Sequence, residues 1–371
     1  MTRKRRKKPT TTHEDKKSGV PQHDPALLIP TGSTMLNLAC SNHWYGGYKK
    51  GKIVNLVGDS HAGKSILALT TLALCANDPQ FDDYELIYDD TEEASEFDLE
   101  EMFGSVANER IKAPKYDKAG TPLFSGDIEQ WQDTVHDKIS GKHPCIYITD
   151  SFDSLHSEED EKKAIEQQAD REKGNKTKGT YGTAKPKMAS FVLRRMRQKI
   201  KHTNSLLLIV SQTRDNLSAV SFAEKTRSGG RALKFYSTHE MWGAVKGKIT
   251  RTVDKEKFEI GSDVKLNVTK NKLTGRSRKV EFPIYDDFGV DDVSSCVDWL
   301  CSKGVIKESK EKEKEKKSLK FKALDLEAKT KKELIQEIEK NDLETELSKE
   351  CHKEWMRVEN ALKMEGRKKR F

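Results

Sequence analysis

The sequence predicts an α/β protein whose mostly parallel sheet is covered by helices on both faces, and three observations predict it. Ile53, Val54, Leu56 and Val57 and the apolar runs at residues 145–149 and 206–210 read as buried strands, and residues 84–88 as a short strand rich in β-formers. Stretches of helical character separate these runs, the alternation expected of a parallel sheet. Residues 58–65 read Gly-Asp-Ser-His-Ala-Gly-Lys-Ser, a Gly-x4-Gly-Lys-Ser loop between the first strand and a helix marked by Ile66, Leu67, Leu69 and Leu72.

The chemistry of that loop explains its residues. Gly58 and Gly63 let the backbone curl so that the N–H groups of Asp59, Ser60, His61 and Ala62 turn inward on phosphate oxygens. Lys64 supplies a point charge for the β- and γ-phosphates, and the Ser65 hydroxyl is a ligand for Mg²⁺. The positive end of the following helix adds to the stabilisation of the anion. The motif therefore points to a nucleoside triphosphate.

The 371 residues leave room for a large core and one or two smaller pieces. With 34% hydrophobic and 35% charged residues, tails and charged linkers are expected beside the core. The net charge of +8 is unevenly placed: Arg3, Lys4, Arg5, Arg6, Lys7, Lys8, Lys16 and Lys17 face only Glu14 and Asp15 in the first 17 residues. A polyanion contact, a nuclear-import signal and a solubilising tail all fit that run. No apolar stretch approaches the roughly 18 residues that span a bilayer. Six cysteines without a CxxC pair suit a reducing compartment better than a disulfide framework or structural zinc. The expectation is a soluble intracellular protein with no membrane partner.

Taken in order, residues 1–28 form a basic tail and Leu27-Leu-Ile-Pro-Thr-Gly-Ser33 opens the core, followed by a short helix through Met35, Leu36, Leu38 and Ala39. A helix is expected over residues 128–139. In parallel sheets the ligand site lies beyond the carboxyl ends of the strands. The phosphate loop, Glu92, Asp150 and Gln212 all sit just past such ends. Asp150 is placed to hold the Mg²⁺ shell, usually through water. Glu92 is the choice for the carboxylate that activates the attacking water, with Asp89, Asp90 and Glu93 as competitors. Gln212 is neutral and can donate to the γ-phosphate, changing position when that group leaves.

Met188, Val192, Met196 and Ile200 recur every four residues, which predicts a helix with one apolar stripe. Lys187, Ser190, Arg194, Arg197 and Lys201 share a neighbouring face, suited to a nucleic-acid backbone or simply to solvent. Residues 156–187 read as a long flexible loop. A second loop over residues 214–231 sets Leu217, Val220 and Phe222 among arginines, a pattern that can wedge between or stack on bases.

On these residues the chain resembles the RecA family of DNA strand-exchange recombinases. Ser228-Gly-Gly-Arg-Ala-Leu-Lys-Phe-Tyr-Ser237 is close to that family's glycine-pair and Ala-Leu-Lys-Phe-Tyr signature, and Ser211-Gln-Thr-Arg resembles its Asn-Gln-Ile-Arg block. Asp90-Thr-Glu92 resembles the block that holds the catalytic glutamate, and Ile29-Pro-Thr-Gly-Ser33 the opening of the ATPase core. Lys270-Asn-Lys272 resembles the segment whose two lysines reach the neighbouring subunit's γ-phosphate. The resemblance covers residues 29–285 well and the last third weakly. It implies a RecA-like ATPase core over residues 29–290, DNA-binding loops near 156–187 and 214–231, and a charged linker with a small helical C-terminal domain over 291–371.

It further implies a DNA-dependent ATPase using ATP and Mg²⁺, assembled as a homo-oligomeric filament on single-stranded DNA that it pairs with a homologous duplex. Ser190, Arg194, Gly229, Gly230 and Arg231 fall where the family holds the DNA backbone, Leu217 where an aliphatic side chain enters between nucleotide triplets, and Phe235 where a phenylalanine couples ATP to the subunit interface. The compact, divergent form resembles bacteriophage recombinases, which implies the cytoplasm of a bacterial cell, infected or not. The family's N-terminal docking helix has no counterpart in residues 1–28. Two rivals stay open: a recombination mediator that binds ATP without exchanging strands, and a ring helicase on the same core.

Overall fold

The structure, a computed structural model, describes residues 25–95, 97–172, 184–215, 225–227, 230–310 and 317–364. Its main sheet takes β1 (Lys52–Gly58), β2 (Glu85–Asp90), β3 (Ile111–Lys112), β4 (Cys145–Asp150), β5 (Leu206–Asp215), β6 (His239–Val253), β7 (Glu256–Asn271), β8 (Arg278–Tyr285) and β9 (Gly289–Val290). They lie in the spatial order β9-β8-β7-β6-β1-β5-β4-β2-β3. From β6 through β1 to β3 every pairing is parallel, and β6 to β9 form an antiparallel wing.

Alternation explains why the apolar runs are continuous. Leu206, Leu208 and Val210 of β5 enter one core while Leu207 and Ile209 enter the other. Ile146 and Ile148 of β4 divide from Cys145 and Tyr147 in the same way. A strand covered on both faces needs an apolar residue at every position, since side chains alternate with period two. Each such side chain, fully buried, contributes about 1.5–3 kcal/mol.

The first face is covered by α1 (Thr34–Ser41) and α2 (Lys64–Ala76), the second by α3 (Ile128–Ile139) and α5 (Ala184–Thr203). Capping fixes where they start: Ser33 Oγ accepts from Leu36 N at 3.3 Å, and Asp127 Oδ1 from Gln130 N at 2.7 Å. The expected stripe of α5 is buried at Val192, Met196 and Ile200, joined by Ala189 and Leu193, while Met188 is half-buried.

Two expectations are corrected. Residues 156–187 were expected as a loop, yet α4 spans Glu158–Glu172 and α5 begins at Ala184; residues 173–183 lie outside the described residues. Composition hid the helix because its stability comes from its start and its pairs. Ser157 Oγ accepts from Asp160 N at 3.1 Å, four acidic residues occupy the first turn, and Lys162 and Lys163 pair back to Glu158 and Glu159. The second correction concerns the charge-dense stretch 307–317, expected as a linker. Lys307–Lys310 pairs antiparallel with Lys317–Phe321, which continues to Leu326–Ala328; residues 311–316 lie outside the described residues.

The C-terminal third adds α7 (Asp292–Ser302), α8 (Lys331–Lys340) and α9 (Glu344–Ala361). Phe321, Leu334, Ile338, Leu347 and Cys351 belong to the same buried cluster as α1 and α2. Thr34 donates from N and Oγ1 to the two oxygens of Asp292, each at 2.6 Å, and Trp355 Nε1 donates to Asn42 Oδ1 at 3.0 Å. Burial pushes the Asp292 carboxyl up to about 6, against the Thr34 hydrogen bonds that lower it. A shared core has a measurable consequence. Phe321→Ala is expected to cost about 3–5 kcal/mol and to lower the urea midpoint of the main unfolding transition rather than split off a separate one. A second, earlier transition with the main one unmoved would contradict the shared core.

Candidate nucleotide site and polynucleotide-facing surface

β1 ends at Gly58 and α2 starts at Lys64, so residues 59–63 turn over the carboxyl edge of the sheet. Gly63 has φ of 65°, and a Cβ there would lie 2.4 Å from Ile284 Cδ1. Gly58 is confined by Gly243 O, which a Cβ would meet at 2.8 Å. Both close approaches exclude side chains, leaving the backbone amides as the loop's working surface. The loop lines a cavity of about 310 Å³ together with the apolar Phe97, Val264 and Ile284 and the charged Lys248, Glu259 and Asp286. Its volume lies at the lower end of the range that small-molecule sites occupy.

Lys64 is buried, and its Nζ donates to Asp59 O at 2.6 Å. Burial lowers its pKa, while the carboxylates of Asp150, Glu92, Asp59 and Asp153 oppose that shift. The buried Asp150 receives the Tyr88 hydroxyl at 2.8 Å and the Ser65 hydroxyl. Burial pushes the Asp150 carboxyl above its usual range against those two hydrogen bonds. The Asp150–Ser151 peptide is cis.

Glu92 stands at the exposed mouth of the same cluster. Its Oε1 accepts from Gln212 Nε2 at 2.9 Å and from the Ser151 hydroxyl. Gln212 N donates to Asp153 Oδ2 at 2.6 Å, and the Thr213 hydroxyl bonds Asp59. β5, β4 and the loop are thus tied together around Lys64. The competitors divide by use. Asp89 is buried and accepts from Ser125 N, Ser125 Oγ and the Tyr147 hydroxyl, and Asp90 accepts from Ser95 N at 2.8 Å. Glu93 is exposed.

Lys270 and Lys272 are elsewhere. In the sheet register Lys270 lies opposite Glu240, itself beside Asn55, and Lys272 N donates to Thr238 O at 3.0 Å. They sit three or more residues, roughly 10 Å, from the level of Gly58, toward the amino ends of the parallel strands. Lys270 Nζ donates to Phe235 O at 3.1 Å and to Lys234 O. Phe235 is 68% exposed.

On α5, Ser190 is half-buried and Arg194 exposed, with Arg194 Nε donating to the Tyr236 hydroxyl at 3.4 Å. Tyr236 ends α6 (Gly230–Tyr236), so the bond joins α5 to the helix that follows the second expected loop. Lys225–Arg227 pairs back onto Thr213–Asp215 of β5. Gly230 begins α6; Leu217 and Gly229 lie outside the described residues, as does the side chain of Arg231. The site also draws on residues that motif reading passed over. Tyr88 was hidden as one more aromatic in a strand, whereas Asp153, three residues past Asp150, lies near enough to a strand end to have been found. Phe97 and Ile284 carry no local signal, because only the tertiary structure brings them to the loop.

Fold and site define an α/β protein with a Gly-x4-Gly-Lys-Ser loop at the carboxyl edge of a mostly parallel sheet. A family model described as the RecA N-terminal domain matches residues 164–291. The chain is 27% identical over 326 residues to "Protein RecA" of Chlamydia muridarum, covering 85% of this chain and 81% of that protein. It is 26% identical over 282 residues to "Protein RecA" of Aquifex pyrophilus (76% and 71% covered) and 25% to that of Thermus thermophilus (76% and 74%). These similarities support a divergent relative of the RecA proteins.

Proposed function

We propose that this protein is a DNA-dependent ATPase that assembles on single-stranded DNA as a homo-oligomeric filament and pairs it with a homologous duplex. The observation that carries the proposal is the 2.9 Å hydrogen bond from Gln212 to Glu92. It joins the candidate catalytic carboxylate to β5 only a few residues before that strand leads into residues 216–224. A change at the γ-phosphate that competes for Gln212 would therefore pull directly on the segment assigned to DNA.

In this reading the loop amides and Lys64 hold the phosphates, and Phe97 packs against the base. The donor set suits Mg²⁺: one hydroxyl (Ser65) and one carboxylate (Asp150) leave further positions to phosphate oxygens and water, the usual pattern for this ion. Asp153 Oδ1, buried and without a hydrogen-bond partner among the described residues, marks remaining acceptor capacity nearby. The ion would neutralise charge developing on the phosphates. Glu92 accepts a proton from the attacking water, Gln212 reports the loss of the γ-phosphate, and Lys270 and Lys272 serve the site of the adjoining protomer. Their separation from the chain's own loop supports that division. No helix among the described residues is long and apolar enough to cross a membrane; we place the protein in the cytoplasm of a bacterial cell.

Electron microscopy with single-stranded DNA and ATP tests the proposal. An extended helical filament is expected; rings or unassembled particles would favour the helicase or the mediator. Assembly should also depend on pH. Burial and the neighbouring Lys272 lower the Lys270 pKa to about 8, with Lys234 adding and Glu240 opposing. The ammonium is charged below that value and neutral above it. ATP-dependent assembly, followed by light scattering, should weaken as pH rises through about 8 and should lose that dependence in Lys270→Arg. An identical profile in both proteins would remove Lys270 from the shared site.

A further inference from the structure

Lys270 and Lys272 continue into a turn that is fastened at both ends. Asn271 Oδ1 accepts from Leu273 N at 2.9 Å and Thr274 N at 3.0 Å, and its Nδ2 donates to Cys40 O at 2.9 Å. Past the turn, Arg278 Nε donates to Glu359 Oε1 at 2.5 Å, and the Arg276 guanidinium meets Glu359 Oε2. The Glu359 side chain is 3% exposed, whereas those of Arg276 and Arg278 are 34% and 25% exposed. One buried carboxylate on the last helix therefore takes two arginines, 81 and more positions away in sequence, that follow Lys272 by four and six residues. The same helix is anchored to α1 through the Trp355–Asn42 bond. A surface ion pair would contribute little, but a carboxylate withdrawn from water needs both partners, and removing one side of such a set is costly.

We propose that Glu359 is a positioning residue: through Arg276 and Arg278 it makes the C-terminal helix set the reach of Lys270 and Lys272 toward the phosphates held by the adjoining protomer. The inference rests on the proposed function, since it needs those lysines to act across a protomer boundary. It gives the C-terminal third a task in turnover that is separate from any contact with DNA. Misplacement of charged groups by a fraction of their reach is enough to slow a reaction strongly.

Glu359→Gln should lower DNA-stimulated kcat by about tenfold or more while the DNA-free protomer binds nucleotide with unchanged affinity. A general folding defect would lower both, so a complementation experiment separates them. Glu359→Gln protomers keep a sound phosphate loop but misplaced lysines; Lys64→Ala protomers have the reverse. Mixed 1:1 on single-stranded DNA, the two should recover about a quarter of wild-type turnover per protomer, the share of boundaries that combine two sound halves in a head-to-tail array. Full activity in Glu359→Gln, or no recovery on mixing, overturns the inference. Should Glu359→Gln fold poorly, the Arg276→Lys, Arg278→Lys double variant keeps the charges, loses the fork geometry, and faces the same two outcomes. If instead Lys64→Ala alone binds ATP and turns over normally, the nucleotide site itself is misassigned, a failure distinct from that of the clamp.

Discussion

Lys64→Ala is expected to weaken nucleotide binding by orders of magnitude. The ammonium is the cation that faces Asp150, Glu92, Asp59 and Asp153 together, and it is held in place by Asp59 O. Taking one partner from a desolvated charge set costs about 2–5 kcal/mol, which corresponds to a loss of roughly one and a half to three and a half orders of magnitude in affinity. The carboxylates left behind also repel the incoming phosphates, so the loss should fall at the severe end. Lys64→Met, which keeps the apolar stem, should be nearly as defective, because the charge and not the packing is at stake. Calorimetry with ATP reads the result; affinity within a few-fold of wild type would move the phosphate site elsewhere.

Glu92→Gln gives the second large effect, of a different kind. Glutamine keeps an oxygen where Gln212 and Ser151 donate, so the local network survives. What disappears is the basicity needed to take a proton from water. Losing a general base lowers kcat by about 10²–10⁴-fold, with ATP and DNA affinity preserved and stable, unproductive assemblies expected to accumulate. Single-turnover hydrolysis with labelled ATP measures it. Unimpaired hydrolysis would pass the role to Asp90 or Glu93, since Asp89 is already committed to Ser125 and Tyr147.

Legibility in the sequence followed the range of the forces involved. The central strands were visible because burial on both faces forces an unbroken apolar run, as at residues 206–210. The phosphate loop was visible because its chemistry is local: two glycines at fixed spacing, then Lys64 and Ser65. Glu92, Asp150 and Gln212 could be nominated from their places past strand ends, which is topology rather than pattern. α4 was missed because its cap and charge pairs are individually weak and its composition resembles that of a loop. The pair Lys307–Lys310 and Lys317–Phe321 was missed because the first strand carries no apolar residue and only Leu319 and Phe321 mark the alternation in the second. Phe97, Ile284 and the Glu359 clamp were invisible, each depending on residues brought together from distant parts of the chain.

Coupling between the nucleotide pocket and the DNA-facing segments is the centre of this account, and comparing ATP turnover in the presence and absence of single-stranded DNA tests it most directly. A rise of at least tenfold on adding the polynucleotide is predicted, abolished in Gln212→Ala, which severs the link to Glu92 but leaves Lys64 in place. Equal rates with and without DNA would contradict it.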